Sequence, residues 1–177
     1  EMTEEVAQLV LSDNYGQTQA ISIAASEAPA LLQQHGRFMR HLERNGHLNR
    51  RLEFLPDDDS LTDRLAANEG LTRPEIAILL CYAKMRLYQQ LLDSDVPEDP
   101  FLRHELEHYF PDRLATRFRA EMYEHRLKRE IIATHITNSM VNVAGPSFAF
   151  RLSEISGMDP PTVARAYTGA RQIFGMR

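Results

Sequence analysis

The stretch Ile76-Ala77-Ile78-Leu79-Leu80-Cys81-Tyr82-Ala83 constrains the fold more than any other part of this chain. It follows Thr72-Arg73-Pro74-Glu75, which offers a capping hydroxyl, a proline in the first turn and a glutamate three residues after the cap. A helix that starts there and ends near Leu92 is roughly 30 Å long at 1.5 Å per residue. Its first half has no polar face, and such a helix must be surrounded by other elements. The rest of the chain has to supply them.

Helix punctuation recurs along the whole sequence, and no segment reads as a strand. Asn45-Gly46 follows a helical stretch, where glycine supplies a left-handed C-terminal cap, and joins no pair of alternating runs. Helices are expected over residues 3–11, 17–25 and 29–44, the last with Leu31, Leu32, His35, Phe38, Met39 and Leu42 on one side. Ser60 is expected to cap a short helix through Ala67, and Asp99-Pro100 to open another that ends before Pro111. Further helices fit 113–123, 125–144 (stopped by Gly145-Pro146), 148–156 (closed by Gly157) and a last one capped by Asp159 and running to Phe174. The expected fold class is all-α: an irregular bundle of about eight to ten helices around a central apolar helix at 73–92. Residues 1–177 are taken as one region, with a division into sub-lobes 1–70 and 71–177 left open.

Composition narrows the partners. The net charge of −5 argues against a broad nucleic-acid surface, because phosphate binding needs a concentrated positive field. No stretch reaches the roughly 18 apolar residues of a membrane span. A single cysteine, Cys81, excludes an intrachain disulfide and a multi-cysteine zinc site. It fits a cytoplasmic setting, and its place in the apolar helix reads as a structural thiol. Glu1-Met2-Thr3-Glu4-Glu5 reads as a helix already under way, so a piece of a longer protein is expected.

His104-Glu105-Leu106-Glu107-His108 matches H-E-x-x-H, in which histidines one helical turn apart bind zinc and the glutamate serves as base. Its segment is short, lies between Pro100 and Pro111, and has no third-ligand motif downstream, although Glu130 is a conceivable ligand. The bland reading is a solvated, charged face beside an apolar stripe of Leu102, Leu106, Tyr109 and Phe110. The basic run Arg126-Leu127-Lys128-Arg129, preceded by Arg113, Arg117 and Arg119, reads as a solvated helix with Glu124–Lys128 and Arg126–Glu130 pairs, with phosphate or nucleotide binding as the alternative. The two helices around Gly157 read as a helical hairpin, since only Arg165 and Arg171 could serve a groove-reading face. Residues 131–150 carry no charge other than that of His135. Their Thr134, His135, Thr137, Asn138, Ser139 and Asn142 should hydrogen-bond across an internal helix–helix seam, with a docking face for another domain or subunit and a small-molecule pocket as the alternatives. No glycine-rich phosphate loop and no nucleophile elbow occurs.

A set of phrases in order extends this reading. They are Ser12-Asp13-Asn14-Tyr15 with Gln17-Thr18-Gln19-Ala20, Leu52-Glu53-Phe54-Leu55-Pro56, Leu71 through Ala77, Tyr109-Phe110-Pro111, Arg129 through Thr134 with Asn138 and Asn142, Gly145-Pro146 with Phe148, and Ala164-Arg165-Ala166-Tyr167. Together they cover nearly the whole chain, which resembles the helical C-terminal region after the catalytic domain of large bacterial NAD-specific glutamate dehydrogenases. Gly16, Gly36 and the His104/His108 pair depart from the pattern. The resemblance implies a parent oxidoreductase that converts L-glutamate to 2-oxoglutarate and ammonia with NAD bound outside this region. It also implies the catalytic region of the same chain and a homo-oligomer as partners, with no nucleic acid and no membrane. No catalytic, cofactor-binding or metal-ligating residue is assigned here, and an assembly or regulatory role is expected. The alternatives are a stand-alone helical protein-interaction module and, less favoured, a zinc hydrolase using His104, Glu105 and His108.

Overall fold

The computed structural model describes residues 2–175. Its α-helices are α1 (Met2–Ser26), α2 (Ala28–Arg44), α3 (Asp58–Ala66), α4 (Arg73–Leu92), α5 (Glu105–His108), α6 (Asp112–Arg117), α7 (Arg119–Tyr123), α8 (Lys128–Ala144), α9 (Phe148–Ser156) and α10 (Pro160–Ile173). Two 3-10 turns, Val96–Glu98 and Pro100–Leu102, precede α5. No strand occurs among the described residues, so the fold is all-α, as the punctuation implied.

Local chemistry sets most helix ends. Thr72 and Glu75 form a full capping box at the start of α4. Glu75 is buried, and it also takes a two-pronged ion pair from Arg64 of α3, at 2.7 and 2.9 Å. One carboxylate thus caps α4 and ties it to α3. Gly46, Gly145 and Gly157 sit just past helix C-termini with φ of 72°, 87° and 71°, a region that glycine enters without steric cost. Asp159 Oδ1 accepts from the Thr162 amide at 2.9 Å and starts α10. The cap of α3 is Asp57 rather than Ser60: its carboxylate accepts from the Ser60 amide at 2.9 Å, which places Ser60 inside the first turn.

Burial explains how the helices assemble. Helix α4 packs against α1, α8 and α10, and α8 also meets α1, α5 and α10. Leu32, Met39, Leu42, Ile76, Leu79, Leu91, Ile136 and Met140 are almost wholly enclosed. Burying one such side chain is worth about 1.5–3 kcal/mol. The apolar run of α4 is nonetheless not enclosed on all sides. Cys81 is exposed and Met85 is 54% exposed, so the structural-thiol reading of Cys81 does not hold.

Three further expectations need correction. The first two predicted helices are one, α1, which continues through Gly16. Gly16 lies against Asn142 of α8, and a Cβ there would be 3.7 Å from the amide nitrogen. Contacts with α4 and α8 hold α1 helical through a string that reads locally as a break. The segment 113–123 divides into α6 and α7 at Phe118, whose φ of −122° leaves the helical range. Helix α8 begins at Lys128, so Glu124 and Arg126 lie before it and the expected spacing rule does not apply to them. Arg129 instead reaches Glu98 at 2.7 Å and donates to the carbonyls of Leu92 and Ser94 at 2.7 and 3.2 Å. It thereby satisfies carbonyl groups left free at the end of α4.

Gly70 joins α3 to α4 where the backbone meets the start of α2. A Cβ at Gly70 would lie 2.2 Å from the Ala28 carbonyl carbon and 2.5 Å from its oxygen. Backbone, not a flexible side chain, blocks the space. Gly70→Ala should therefore cost about 1–3 kcal/mol through forced displacement and lower the thermal midpoint. Gly46→Ala is not a comparable control, because Gly46 has open space but a positive φ. Chemical denaturation of Gly70→Ala against the parent chain checks the effect.

Candidate functional site

The H-E-x-x-H segment does not form a simple solvated face. Residues 104–109 take right-handed helical geometry around α5, so His104 and His108 share one side of a turn. Glu105 is 5% exposed and points inward against α8 and α10. Its Oε2 accepts from His135 Nδ1 of α8 at 2.5 Å, and its Oε1 accepts from the Gln172 side-chain amide of α10 at 3.1 Å. His104 Nε2 is 3.1 Å from Glu105 Oε1. Leu102 and Leu106 are wholly enclosed, whereas Tyr109 is 46% exposed, so the apolar stripe is buried at one end only.

Hydrogen bonds settle the tautomers. His104 Nδ1 lies 2.8 Å from the Phe101 carbonyl. A carbonyl only accepts, so Nδ1 carries the proton and Nε2 of the neutral ring presents its lone pair. The Gln172 NH₂ group donates to that lone pair and to Glu105 Oε1. His108 stacks edge-on to His104 with ring centroids 5.4 Å apart and lies 6.0 Å from the His135 ring. Ligand atoms of His104, Glu105 and His108 all fall within 4.8 Å of one another.

Charge follows from this geometry. Burial by itself would raise the Glu105 pKa, but the hydrogen bond and charge of His135, with the hydrogen bond from the Gln172 amide, outweigh it and hold the carboxyl at about 2. A carboxylate so stabilised, with both oxygens engaged, is a poor general base. Burial lowers the pKa of His108; the charge of His135 adds to this, and those of Glu105 and Glu107 oppose it. Beside the cluster, Tyr123 donates to Glu107 Oε1, Arg119 pairs with Glu107 Oε2 at 2.9 Å, and Arg103 lies over the Tyr123 ring at 5.0 Å.

Sequence reading identified His104, Glu105 and His108 but not His135 and Gln172, which lie on other helices. Glu130, the conceivable extra ligand, does not join the group. The expected hydrogen bonds across the 131–150 seam form only in part. His135 reaches Glu105, and Ser147 Oγ accepts from Gln34 at 2.8 Å. Thr134 instead bonds back to the Glu130 carbonyl at 2.7 Å, and the buried Thr137 Oγ1 and Asn142 Oδ1 have no hydrogen-bond partner. A separate cleft of about 650 Å³ lies between α2, α4, α8 and α9, with Phe38, Met140 and Phe150 at its apolar side and Arg44, Arg86 and Glu154 among its polar lining. No sequence motif pointed to it.

The described residues do not fit a dinucleotide cofactor site. Such a site needs a strand–turn–helix whose glycines lead into a helix N-terminus. Here the left-handed glycines Gly46, Gly145 and Gly157 follow helix C-termini, and no strand precedes any helix among the described residues. Nor is any helix among them long and apolar enough to cross a membrane.

Fold and site together define an all-helical region held by interhelical contacts. The family profile described as "Glutamate dehydrogenase, C-terminal" matches residues 68–177. The chain belongs to that family. It is 47% identical to the NAD-specific glutamate dehydrogenase of Halomonas elongata over 174 residues, 98% of this chain and 11% of the relative. The NAD-specific glutamate dehydrogenase of Pseudomonas aeruginosa is 46% identical over 98% of this chain, and that of Mycobacterium tuberculosis 37% over 99%. The chain spans about one ninth (11%) of the length of each of these curated relatives.

Proposed function

We propose that the chain is a non-catalytic helical region of an NAD-dependent glutamate dehydrogenase, a cytoplasmic and oligomeric enzyme. The parent would convert L-glutamate, water and NAD⁺ to 2-oxoglutarate, ammonium, NADH and a proton, with the cofactor bound outside residues 1–177. The carrying observation is the match of 98–99% of this chain to only 11% of relatives that bear that name. So small a share of its relatives supports a reading in which the chemistry lies in the remainder.

The surface supports an assembly role for this region. Along the first half of α1, Val6, Leu9, Val10, Leu11 and Tyr15 are between 41% and 69% exposed. Phe54 is 89% exposed and holds a φ of 54°, a conformation costly for a bulky residue. Apolar side chains held into solvent in this way suit burial against the catalytic region of the same chain or against another subunit.

NAD-dependent glutamate oxidation and light scattering test the reading on three proteins: the parent enzyme, the parent lacking this segment, and the isolated chain. Activity is expected in the full parent alone, and the deletion variant should be folded with an altered native mass. Glutamate oxidation by the isolated chain would overturn the reading. So would a deletion variant with full activity and unchanged mass.

A further inference from the structure

From the arrangement around α5 we infer that His104, Glu105 and His108 bind a divalent transition-metal ion, with zinc the best fit. The inference concerns a structural site, does not depend on the parent's reaction, and departs from the sequence reading, which assigned no metal ligand. Three observations converge on it.

The donor set is the first. Two imidazoles and one carboxylate are a borderline N/O set that suits zinc and its first-row neighbours and disfavours magnesium and calcium. Zinc binds imidazole nitrogen and carboxylate oxygen at about 2.0–2.2 Å, so adjacent ligand atoms of a tetrahedral site sit roughly 3.4 Å apart. His104 Nε2 and Glu105 Oε1 already stand at 3.1 Å. His108, exposed on the next turn, closes the triangle with all ligand atoms within 4.8 Å. Among the described residues it makes no hydrogen bond that metal binding would have to break, and bringing its ring nitrogen from within 4.8 Å to ligand spacing is the one adjustment the three ligands require.

Orientation is the second. Metal-bound histidines usually donate their other ring N–H to a carbonyl or carboxylate, and ligating carboxylates are themselves hydrogen-bonded. His104 makes that bond to the Phe101 carbonyl at 2.8 Å, which directs the Nε2 lone pair to the site. His135 holds Glu105 Oε2 at 2.5 Å and leaves Oε1 turned toward His104. Both supports are in place without the ion.

The third is the group that now occupies the focus. The Gln172 NH₂ donates into both His104 Nε2 and Glu105 Oε1. Two lone pairs thus converge on one electropositive group, the position a cation would take. A metal ion would displace that amide, bind the same lone pairs and add His108. Its effect would be to fix α5, which Glu105 already joins to α8 and α10.

Zinc itself is the probe. After loading with zinc chloride and desalting, elemental analysis should find one zinc per chain, and the thermal midpoint should rise by a few degrees. Cobalt(II) should give visible absorption of tetrahedral intensity. His108→Ala is the decisive variant, because His108 is exposed and its loss leaves the Glu105–His135 bond intact. It should keep the apo fold by circular dichroism, bind zinc at least roughly tenfold more weakly and lose the cobalt spectrum. A parent chain that retains no zinc at micromolar concentration would overturn the inference. Equal retention by the parent and His108→Ala would do so too, since it would place the ion at other surface histidines such as His41 and His47.

Discussion

Leu80→Asp should leave the chain unfolded at 25 °C, with helical circular dichroism lost and no cooperative thermal transition. Leu80 is 2% exposed on α4, the helix that packs against α1, α8 and α10. The substitution removes about 1.5–3 kcal/mol of side-chain burial. It also places a carboxyl among apolar neighbours, where an unpartnered polar group costs at least a further 1–3 kcal/mol or so and a charge more. With the larger penalty of a charged carboxylate, the sum reaches the lower part of the stability of a small domain, which is about 5–15 kcal/mol. Leu80→Met, nearly equal in volume, should cost less than about 1.5 kcal/mol, so it separates charge from shape. A soluble aspartate variant with the parent's melting temperature would place Leu80 outside the core.

The sequence shows Leu80 as a core residue because burial there follows from a local pattern. The same is true of helix ends. Thr72 with Glu75, Asp159 with Thr162, and the glycines at 46, 145 and 157 each act within one turn of the chain, so their chemistry reads directly. Long-range partners do not. The burial of Glu105 depends on His135 and Gln172, 30 and 67 residues away, and H-E-x-x-H alone cannot distinguish an inward carboxylate from a solvated one. Gly16 shows the opposite failure: its neighbourhood reads as a break, and contacts of α1 with α4 and α8 override it. The basic run misled for a related reason. An i,i+4 rule presumes a helix, and Arg126 precedes the first turn of α8, while Arg129 is drawn to the free carbonyls at the end of α4.

Mild acid should destabilise the chain chiefly through His35, and His35→Leu should remove most of that sensitivity. His35 lies on α2 with no exposed surface, and neither ring nitrogen has a hydrogen-bond partner. Burial alone lowers its pKa from 6.5 to about 4. The folded state therefore holds His35 neutral, while the unfolded chain takes up a proton below about 6.5. Between pH 6.5 and about 4 the unfolded state binds more protons, so stability is fully present above the window and falls as pH drops through it. At 1.36 kcal/mol per unit the loss is about 3 kcal/mol across the window, a large part of a small domain's stability. Glu105 acts lower. Its folded pKa of about 2 lies below its ordinary value of 4.5, so its contribution is present above pH 4.5 and is lost as pH falls toward 2. The two groups are thus separable by pH. Denaturant titrations at pH 7, 5.5 and 4.5 should show the parent weakening at each step and His35→Leu weakening clearly less, the remainder coming from His41 and His108, whose pKa values burial also lowers. Leucine also removes two unpartnered polar atoms, so the variant should be at least as stable as the parent at pH 7. Parallel losses in both proteins over this range would assign the acid sensitivity to groups other than His35.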